Sequence, residues 1–265
     1  MKKGIEGFLI GIQFFTALPV KKRFDMDPKR TAIAIQCLPA IGLLMGSVQA
    51  ALLWLLQTYT PLSALACAFI IWLSAIMMTG GLHLDGWMDS SDAYFSYRDR
   101  DKRLEIMKDP RTGAFGVLSV LVLLSAKFLF IYEVIERFHG FGFSLLALIP
   151  MLSRTGMGLL LASVPSVKKD GLSYFFQKGL QWRRIAGSYA ISVTLVACLL
   201  GLFEPVLVIY LIGLLLMSAL FTLASGVFFK KEFGGITGDL LGASSEGGEV
   251  FLWMGLWLLH YYVMG

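Results

Sequence analysis

The sequence predicts an all-α integral membrane protein, a polytopic bundle of about seven transmembrane helices preceded by an N-terminal helix that is interfacial or re-entrant. Of its 265 residues, 57% are hydrophobic and only 15% are charged, which is more apolar than a soluble domain of this size can bury. Several apolar runs reach the ~20 residues that cross a bilayer core. No polar stretch is long enough for a soluble domain, so we expect residues 1–265 to form one membrane domain.

The predicted spans are separated by charged residues, glycine or proline. The first apolar stretch, from Phe8 to Val20, is too short for a span and has lysines on both flanks, so we expect it to lie in the interface or to re-enter the membrane. No small-residue cleavage site follows it, which argues against a signal peptide. The spans run approximately through residues 31–57, 62–80, 113–135, 141–164, 185–203, 205–228 and 249–264.

The basic residues are distributed very unevenly. Placing the N-terminus and segments 21–30, 81–112, 165–184 and 229–248 on one side collects 20 of the 23 Lys and Arg residues. Cationic loops resist translocation, so that side should be the cytoplasm and the membrane the inner (plasma) membrane. The net charge of +5 therefore describes orientation, and we expect no nucleic-acid partner. The sequence leaves open whether the chain forms a homo-oligomer.

The cysteines and histidines do not form a metal motif. Cys37, Cys67 and Cys198 are isolated inside apolar segments, without the spacing of a zinc site or a disulfide framework. We interpret them as small core residues. Among the histidines, only His83 lies near other polar chemistry.

The predicted cytoplasmic loop 81–112 carries most of the acidic residues. Asp85, Asp89 and Asp92 are spaced i, i+4 and i+7, which on a helix places the three carboxylates within an arc of roughly 60°. No Lys or Arg is interleaved with them to relieve their repulsion. A hard divalent cation with oxygen ligands is the simplest compensation, and Mg²⁺ is the natural choice. The alternative is a solvated polar face.

Two cations follow in the same loop. Lys108 and Arg111 lie beside a Gly-rich turn at Gly113 and Gly116 that opens the next span. Free helix N–H groups and cations together favour a phosphate. The sequence therefore predicts phosphate binding here, just after a helix that Pro110 should end.

The second predicted active-site loop, 229–248, contains Asp239 and Glu246, with Gly235 and Gly238 before them. The glycines permit close approach of a ligand to the backbone, although glycine also packs membrane helices together. The predicted topology places this loop on the same side as the aspartates.

Two cations fall inside predicted spans. An unpaired Arg154 would cost several kcal/mol unless it faced a polar cavity or an anion, so we expect it to point inward, with snorkelling as the alternative. Lys127 stands alone in an apolar stretch, and we interpret it as a snorkelling residue.

Taken together, these residues resemble the cobalamin synthase family, also called adenosylcobinamide-GDP ribazoletransferase. The resemblance covers nearly the whole chain. It is carried by GGLHLDG at 80–86, Asp89, Asp92, EIMKDPRTGAFG at 105–116 and GGITGDLLGASSE at 234–246, and more softly by IQFFTALP at 12–19, Arg154 and DGLSYFF at 170–176.

The resemblance implies that the enzyme joins adenosylcobinamide-GDP to a ribose hydroxyl of α-ribazole or its 5′-phosphate, releases GMP and requires Mg²⁺. It implies that Asp85, Asp89 and Asp92 hold Mg²⁺ on the pyrophosphate. The general base remains unassigned. The other implied site residues are Lys108, Arg111 and Arg154 on phosphate oxygens, Gly235 and Gly238 in the backbone of the substrate site, and Asp109 and Asp239, which complete the metal shell or take the hydroxyl proton.

The sequence departs from the family pattern at Trp87 and Met88, where smaller residues are expected, and in the aromatic stretch 94–97. These aromatics could stack on guanine, benzimidazole or the corrin, although interfacial Trp and Tyr near headgroups are the commoner explanation.

Three other functions fit parts of the pattern. A CDP-alcohol phosphotransferase or a prenyltransferase acting on lipid would also use Asp-rich loops with Mg²⁺, but their Asp motifs match only in part. A secondary transporter would need its acids within the spans, whereas here the dense cluster is predicted in loops.

Overall fold

The computed structural model describes residues 2–137, 140–169 and 171–264, so Asp170 of the 170–176 motif lies outside the described residues. The described part is helical apart from its connections and one isolated bridge. Its helices are α1 Lys2–Phe15, α2 Pro28–Gln36, α3 Leu38–Tyr59, α4 Ala64–Thr79, α5 Leu82–Phe95, α6 Arg100–Ile106, α7 Ala114–Arg137, the 3-10 helix Gly140–Ala147, α8 Leu148–Ser163, α9 Leu172–Gln177, α10 Trp182–Phe203, α11 Val206–Phe233 and α12 Gly238–Met264.

The structure confirms an all-α membrane bundle, but not seven spans. Within the described residues, five segments are long and apolar enough to cross a membrane, and there are six if the bent pair α4–α5 counts as one. The five segments are Leu38–Tyr59, Ala114–Arg137, Phe143–Ser163, Trp182–Phe203 and Val206–Phe233.

Two predicted spans account for the difference. The predicted span 62–80 is α4, whose 16 residues continue after a bend into α5. The predicted span 249–264 is the second half of α12, a helix of 27 residues that is not among the five segments. The first half of α12 contains acidic and small residues, which other helices bury, and an enclosed helix does not need a continuous apolar surface.

The outer helices carry the apolar surface that lipid would cover. α7, α10 and α11 expose rows of large apolar side chains, whereas α8 is almost entirely buried. In a bilayer such rows face acyl chains, and every helical backbone group is satisfied internally. The exposed residues include Leu118, Leu121, Val122, Ile191, Leu195, Leu199, Leu216, Leu220 and Leu223.

A double-glycine turn separates α4 from α5. Gly80 and Gly81 have φ of 62° and 78°, left-handed values that residues with a Cβ atom rarely adopt. The two helices meet at 85° there. A 14-residue helix such as α5 is about 21 Å long, shorter than the ~30 Å hydrocarbon core. We therefore take α4 as the inserted arm and α5 as an arm lying across the end of the bundle.

The four predicted basic segments meet at this same end. Arg103 forms an ion pair with Glu232 at 2.6 Å, Ser166 forms a β-bridge with Ile236, and the connection at Gly179 packs on Pro28. The segment 229–248, predicted as a loop, is helix except for 234–237, because α11 and α12 both extend into it. Most of segment 81–112 is likewise helix, in α5 and α6.

The N-terminal helix α1 fits the interfacial prediction. It has 14 residues, packs on α2, and is not among the described segments long enough to span a membrane. Glu6 of α1 accepts a hydrogen bond from Arg30 of α2 at 2.8 Å.

Candidate active site

Helices α5 and α12 cross in close backbone contact. A Cβ on Gly86 would lie 2.6 Å from the backbone oxygen of Asp239, and a Cβ on Gly242 would lie 3.1 Å from the Cα of His83. Cβ atoms essentially never lie closer than 3.0 Å to a heavy atom of another residue, so a side chain at Gly86 would push the two helices apart. The contact brings the first turn of α5, with Asp85, alongside the first turn of α12, with Asp239.

Three carboxylates come together at this crossing: Asp85, Asp89 and Asp239, which we call the acidic cluster. Burial, together with the charges of Asp85, Asp239 and Asp92, raises the pKa of Asp89 to about 6. Burial, together with the charge of Asp85, raises the pKa of Asp239 above its usual value, although its own backbone N–H and the Thr237 hydroxyl oppose that shift. The carboxylates are therefore close enough to repel one another.

No Lys or Arg in the described ranges forms an ion pair with a member of the acidic cluster. Nor do three or more His, Cys, Asp or Glu side chains of those ranges stand close enough together to coordinate an ion directly. Carboxylates that lack a paired cation are nevertheless the oxygen ligands that a divalent cation uses, and Mg²⁺ usually takes one or two of them plus substrate phosphates. The donor set fits such an ion.

Asp92 has a separate partner in this structure. Its carboxylate accepts hydrogen bonds from the backbone N–H groups of Gly113 at 2.5 Å and Gly116 at 2.7 Å. These are the free groups at the start of α7 that the sequence predicted for a phosphate. Asp92 occupies them itself, so it caps α7 and links that helix to α5.

Asp109 and Arg111 are paired with each other. The Arg111 guanidinium contacts the Asp109 carboxylate at 2.6 Å and holds the pKa of Asp109 at about 2. Arg111 is otherwise exposed, with 86% of its side chain accessible. The structure does not bring this pair into the acidic cluster.

Lys108 shares a cavity with Asp239. This polar cavity has a volume of about 270 Å³ and includes the first turn of α12, where Gly238 has no atom within 4 Å of its Cβ position. The N–H groups of a helix start and two lysines at its edge favour an anion. Its polar lining consists of Lys108, Ser166, Lys168, Ser173, Thr237 and Asp239.

Gly235 allows two backbone segments to pack closely and does not line the polar cavity. Its Cβ position abuts the carbonyl oxygen of Pro165. The neighbouring Ile236 N–H donates to the same Pro165 carbonyl at 3.0 Å. This contact ties the connection between α11 and α12 to the end of α8, and it places Gly238 at the cavity.

Four charged side chains form a second group inside the bundle, which we call the core network: Lys127, Arg154, Glu246 and Glu249. Lys127 Nζ lies 2.9 Å from Glu246 and 2.6 Å from Glu249, and Arg154 also pairs with Glu249. The snorkelling interpretation of Lys127 was wrong, because its side chain is only 2% exposed. Two acids on α12 compensate its charge within the bundle.

Arg154 points inward, as predicted. It is fully buried, and it lines neither the polar cavity nor the apolar cavity described below. Its Nε and Nη2 atoms have no hydrogen-bond partner among the described residues. A phosphate-binding role for Arg154 stays a prediction.

The aromatic departures line a different cavity. Trp87, Tyr94 and Phe95 face a space of about 300 Å³ between α5, α11 and α12, and that space includes no member of the acidic cluster. Stacking on a substrate therefore stays a prediction for these residues.

Sequence reasoning missed Lys168 and Glu249. Lys168 lies in a basic segment that the charge asymmetry already placed on the side of the aspartates, and that signal could have found it. Glu249 is three residues after Glu246 on one helix. Together they balance the two cations inside the spans, but placing Glu246 in a loop concealed this balance.

Comparison with known proteins shows the family of this chain. A sequence model of the family described as CobS, Cobalamin-5-phosphate synthase, matches residues 7–257. The chain belongs to this family. The predicted resemblance is thereby confirmed.

Relatives in this family match along their whole length. A protein of Geobacillus sp. (strain WCH70), named adenosylcobinamide-GDP ribazoletransferase, is 41% identical over 266 residues, covering 100% of both chains. Proteins with the same name from Geobacillus kaustophilus and Halalkalibacterium halodurans are 38% and 34% identical and cover 100% and 97% of this chain. No solved structure matches the chain.

Proposed function

We propose that this protein transfers the adenosylcobinamide phosphate group of adenosylcobinamide-GDP to a ribose hydroxyl of α-ribazole or its 5′-phosphate, forming adenosylcobalamin or its phosphate and releasing GMP. The observation that carries the proposal is full-length identity of up to 41% with ribazoletransferases among the relatives compared, together with a carboxylate cluster beside a cationic cavity. Family membership favours it over a lipid phosphotransferase, a prenyltransferase or a transporter.

The reaction breaks the diphosphate bond of adenosylcobinamide-GDP. The acceptor oxygen attacks the phosphorus that carries adenosylcobinamide, loses its proton, and GMP leaves with the bridging oxygen. Such a displacement needs positioning and neutralisation of charge more than covalent help from the protein.

A Mg²⁺ ion, when bound, would neutralise charge on the diphosphate. Asp85, Asp89 and Asp239 would hold it, one or two of them directly and the rest through its bound waters, with substrate oxygens completing the shell. Lys108 and Lys168, at the edge of the polar cavity, would orient the phosphates, and the open backbone at Gly238 lets them approach the start of α12. The group that accepts the hydroxyl proton remains unassigned.

The location belongs to the same proposal. The basic end of the bundle faces the cytoplasm and the membrane is the plasma membrane, where lipid surrounds α7, α10 and α11. This orientation exposes the polar cavity to water-soluble nucleotides.

The test uses purified protein in lipid nanodiscs. With Mg²⁺, adenosylcobinamide-GDP and α-ribazole, GMP should be released in step with formation of adenosylcobalamin, and Asp85→Ala should abolish both while the protein still elutes as a folded species. CDP-alcohol or prenyl diphosphate substrates should give no product. Absence of GMP from the wild type, or full activity in Asp85→Ala, overturns the proposal.

A further inference from the structure

One buried histidine has no role in the chemistry above. His83 is 4% exposed, and its Nδ1 atom has no hydrogen-bond partner among the described residues. Helix α12 fixes its backbone, because Gly242 packs directly on the His83 Cα. A buried polar atom without a partner costs stability, so its retention calls for a partner that binds later.

His83 faces an apolar cavity beside the acidic cluster. The cavity has a volume of about 120 Å³, and Leu172, Ser173, Gly238 and Asp239 line both it and the polar cavity. The two cavities therefore adjoin, and we treat them as one cleft: its cationic half contains Lys108 and Lys168, and its apolar half contains neither. The apolar half is lined by Phe14, Phe15, Leu82, His83, Met157, Leu161, Phe176, Leu241 and Gly242, besides the shared residues.

The chemistry of the apolar half selects a neutral aromatic ligand. Three phenylalanines provide faces and edges for a planar ring, and no Lys, Arg or carboxylate other than Asp239 lines this half of the cleft in the described chain. In its neutral form the imidazole offers one N–H donor.

We infer that the apolar half of the cleft binds the benzimidazole base of the acceptor, with His83 Nδ1–H donating to the free ring nitrogen. This inference rests on the proposed function, since it names the place of one of its substrates. A base seated there extends its ribose toward Asp239 and the acidic cluster, where the hydroxyl must react.

The other parts of the substrates do not fit this half. A corrin macrocycle is too large for about 120 Å³. Guanine carries several donors and acceptors on its edge, and most of them would stay unpaired against phenylalanine, leucine and methionine. Benzimidazole has one free ring nitrogen and an otherwise apolar perimeter, which matches one histidine among aromatic side chains.

The experiment removes the hydrogen bond from each side in turn. The wild-type enzyme in nanodiscs is assayed for GMP release with α-ribazole and with its indole counterpart, in which the free ring nitrogen is a CH group. The indole riboside should have a kcat/KM about tenfold lower, as expected for loss of one buried hydrogen bond. His83→Phe should raise the KM for α-ribazole about tenfold, leave the KM for adenosylcobinamide-GDP within about twofold, and accept both ribosides equally.

His83→Gln, which retains an N–H donor, should recover part of the discrimination. Equal use of the two ribosides by the wild type, unchanged discrimination in His83→Phe, or a KM change confined to adenosylcobinamide-GDP each overturns the inference. The wild-type comparison stands even where His83→Phe does not fold. A wild type that releases no GMP at all contradicts the proposed function instead.

Discussion

The molecule contains two groups of acidic side chains with opposite surroundings. In the core network, Glu246 and Glu249 sit inside the bundle and are compensated by Lys127 and Arg154. In the acidic cluster, carboxylates meet at the end of the bundle without a cationic side chain from the described residues. Both groups depend on α12, which contributes Asp239 in its first turn and Glu246 and Glu249 farther along.

The difference indicates what each group is for. A buried charge is tolerated only with a partner, so a network in which every charge has an opposite charge beside it belongs to the structure. Carboxylates that repel one another weaken the fold unless a positive charge compensates them. Where no side chain supplies that charge, a bound ligand such as a cation can supply it. Substitutions should therefore separate the two groups, with stability changing for one and activity for the other.

The largest expected effect on stability comes from the core network. Lys127→Met would leave Glu246 and Glu249 without one of their cations and should destabilise the fold by about 3–5 kcal/mol. Thermal unfolding in detergent measures this. Lys102→Met is the control, because its ion pair with Glu105 is exposed and such pairs contribute about 0–1 kcal/mol. Equal unfolding temperatures for the two variants would contradict a structural role for the network.

The next effect is on catalysis. Asp89→Asn should lower kcat by about a hundredfold or more, since a group that acts on developing charge is removed. It should not lower the unfolding temperature of the metal-free protein at neutral pH. Because the pKa of Asp89 is raised to about 6 in the folded protein, its protonated form stabilises the fold only below that pH. At neutral pH the carboxylate is ionised, so Asn removes no stabilising interaction.

Asp101→Asn, on the exposed surface of α6, is the matched control and should leave kcat unchanged. A variant at Asp89 that retained wild-type kcat, or that lost both stability and activity, would remove the distinction between the two groups.

The sequence predicted the helical class, the inward Arg154 and the gathering of basic segments at one end, because hydropathy and charge asymmetry report these directly. It also predicted that Asp85 and Asp89 share a helix face. It could not show that Asp92 would cap α7, since that contact joins residues from two helices whose relative position is tertiary.

The predicted count of seven spans is not confirmed, and α12 shows why the sequence is hard to divide there. Hydropathy reports how apolar a segment is, and the first half of α12 is buried among other helices while carrying charged and small residues, so one long helix has the sequence of a polar loop followed by a short span. The same pattern led to the mistaken interpretation of Lys127. Its partners lay in what the sequence presented as a polar loop.

The helix crossing that builds the acidic cluster gives a third prediction. Gly86→Ala places a methyl group against the backbone of Asp239 and should cost about 1–3 kcal/mol, as overpacking does, while also lowering activity. Gly187→Ala in α10 has open space around its Cβ position and should be neutral or stabilising. Unfolding temperatures and GMP release rates for both variants check this, and a harmless Gly86→Ala would mean that the close crossing is dispensable.

The pH dependence of metal binding sharpens the comparison further. Protons compete with a cation for Asp89, whose pKa is about 6, so the affinity for Mg²⁺ should be constant above about pH 7 and fall by up to about tenfold per unit below pH 6. Calorimetric titration from pH 5 to 8 in the presence of substrate measures it. An affinity that did not change across this range would exclude Asp89 from the ligand set.

The smallest effect should come from Asp92. Asp92→Ala removes the cap of α7 and should cost about 1 kcal/mol of stability. If capping is its main contribution, the Mg²⁺ concentration at half-maximal activity should change little. A large rise in that concentration would instead place Asp92 among the metal ligands, as the sequence predicted.

We expect Asp85, Asp89 and Asp239 to hold one divalent cation on the substrate diphosphate, one or two of them directly and the rest through its bound waters. Mn²⁺ binding followed by electron paramagnetic resonance, with adenosylcobinamide-GDP present, tests it most directly. We expect one saturable site in the wild type and in Asp101→Asn, and its loss in Asp85→Asn, Asp89→Asn and Asp239→Asn. Mn²⁺ bound with the same affinity by all of these proteins would contradict the claim.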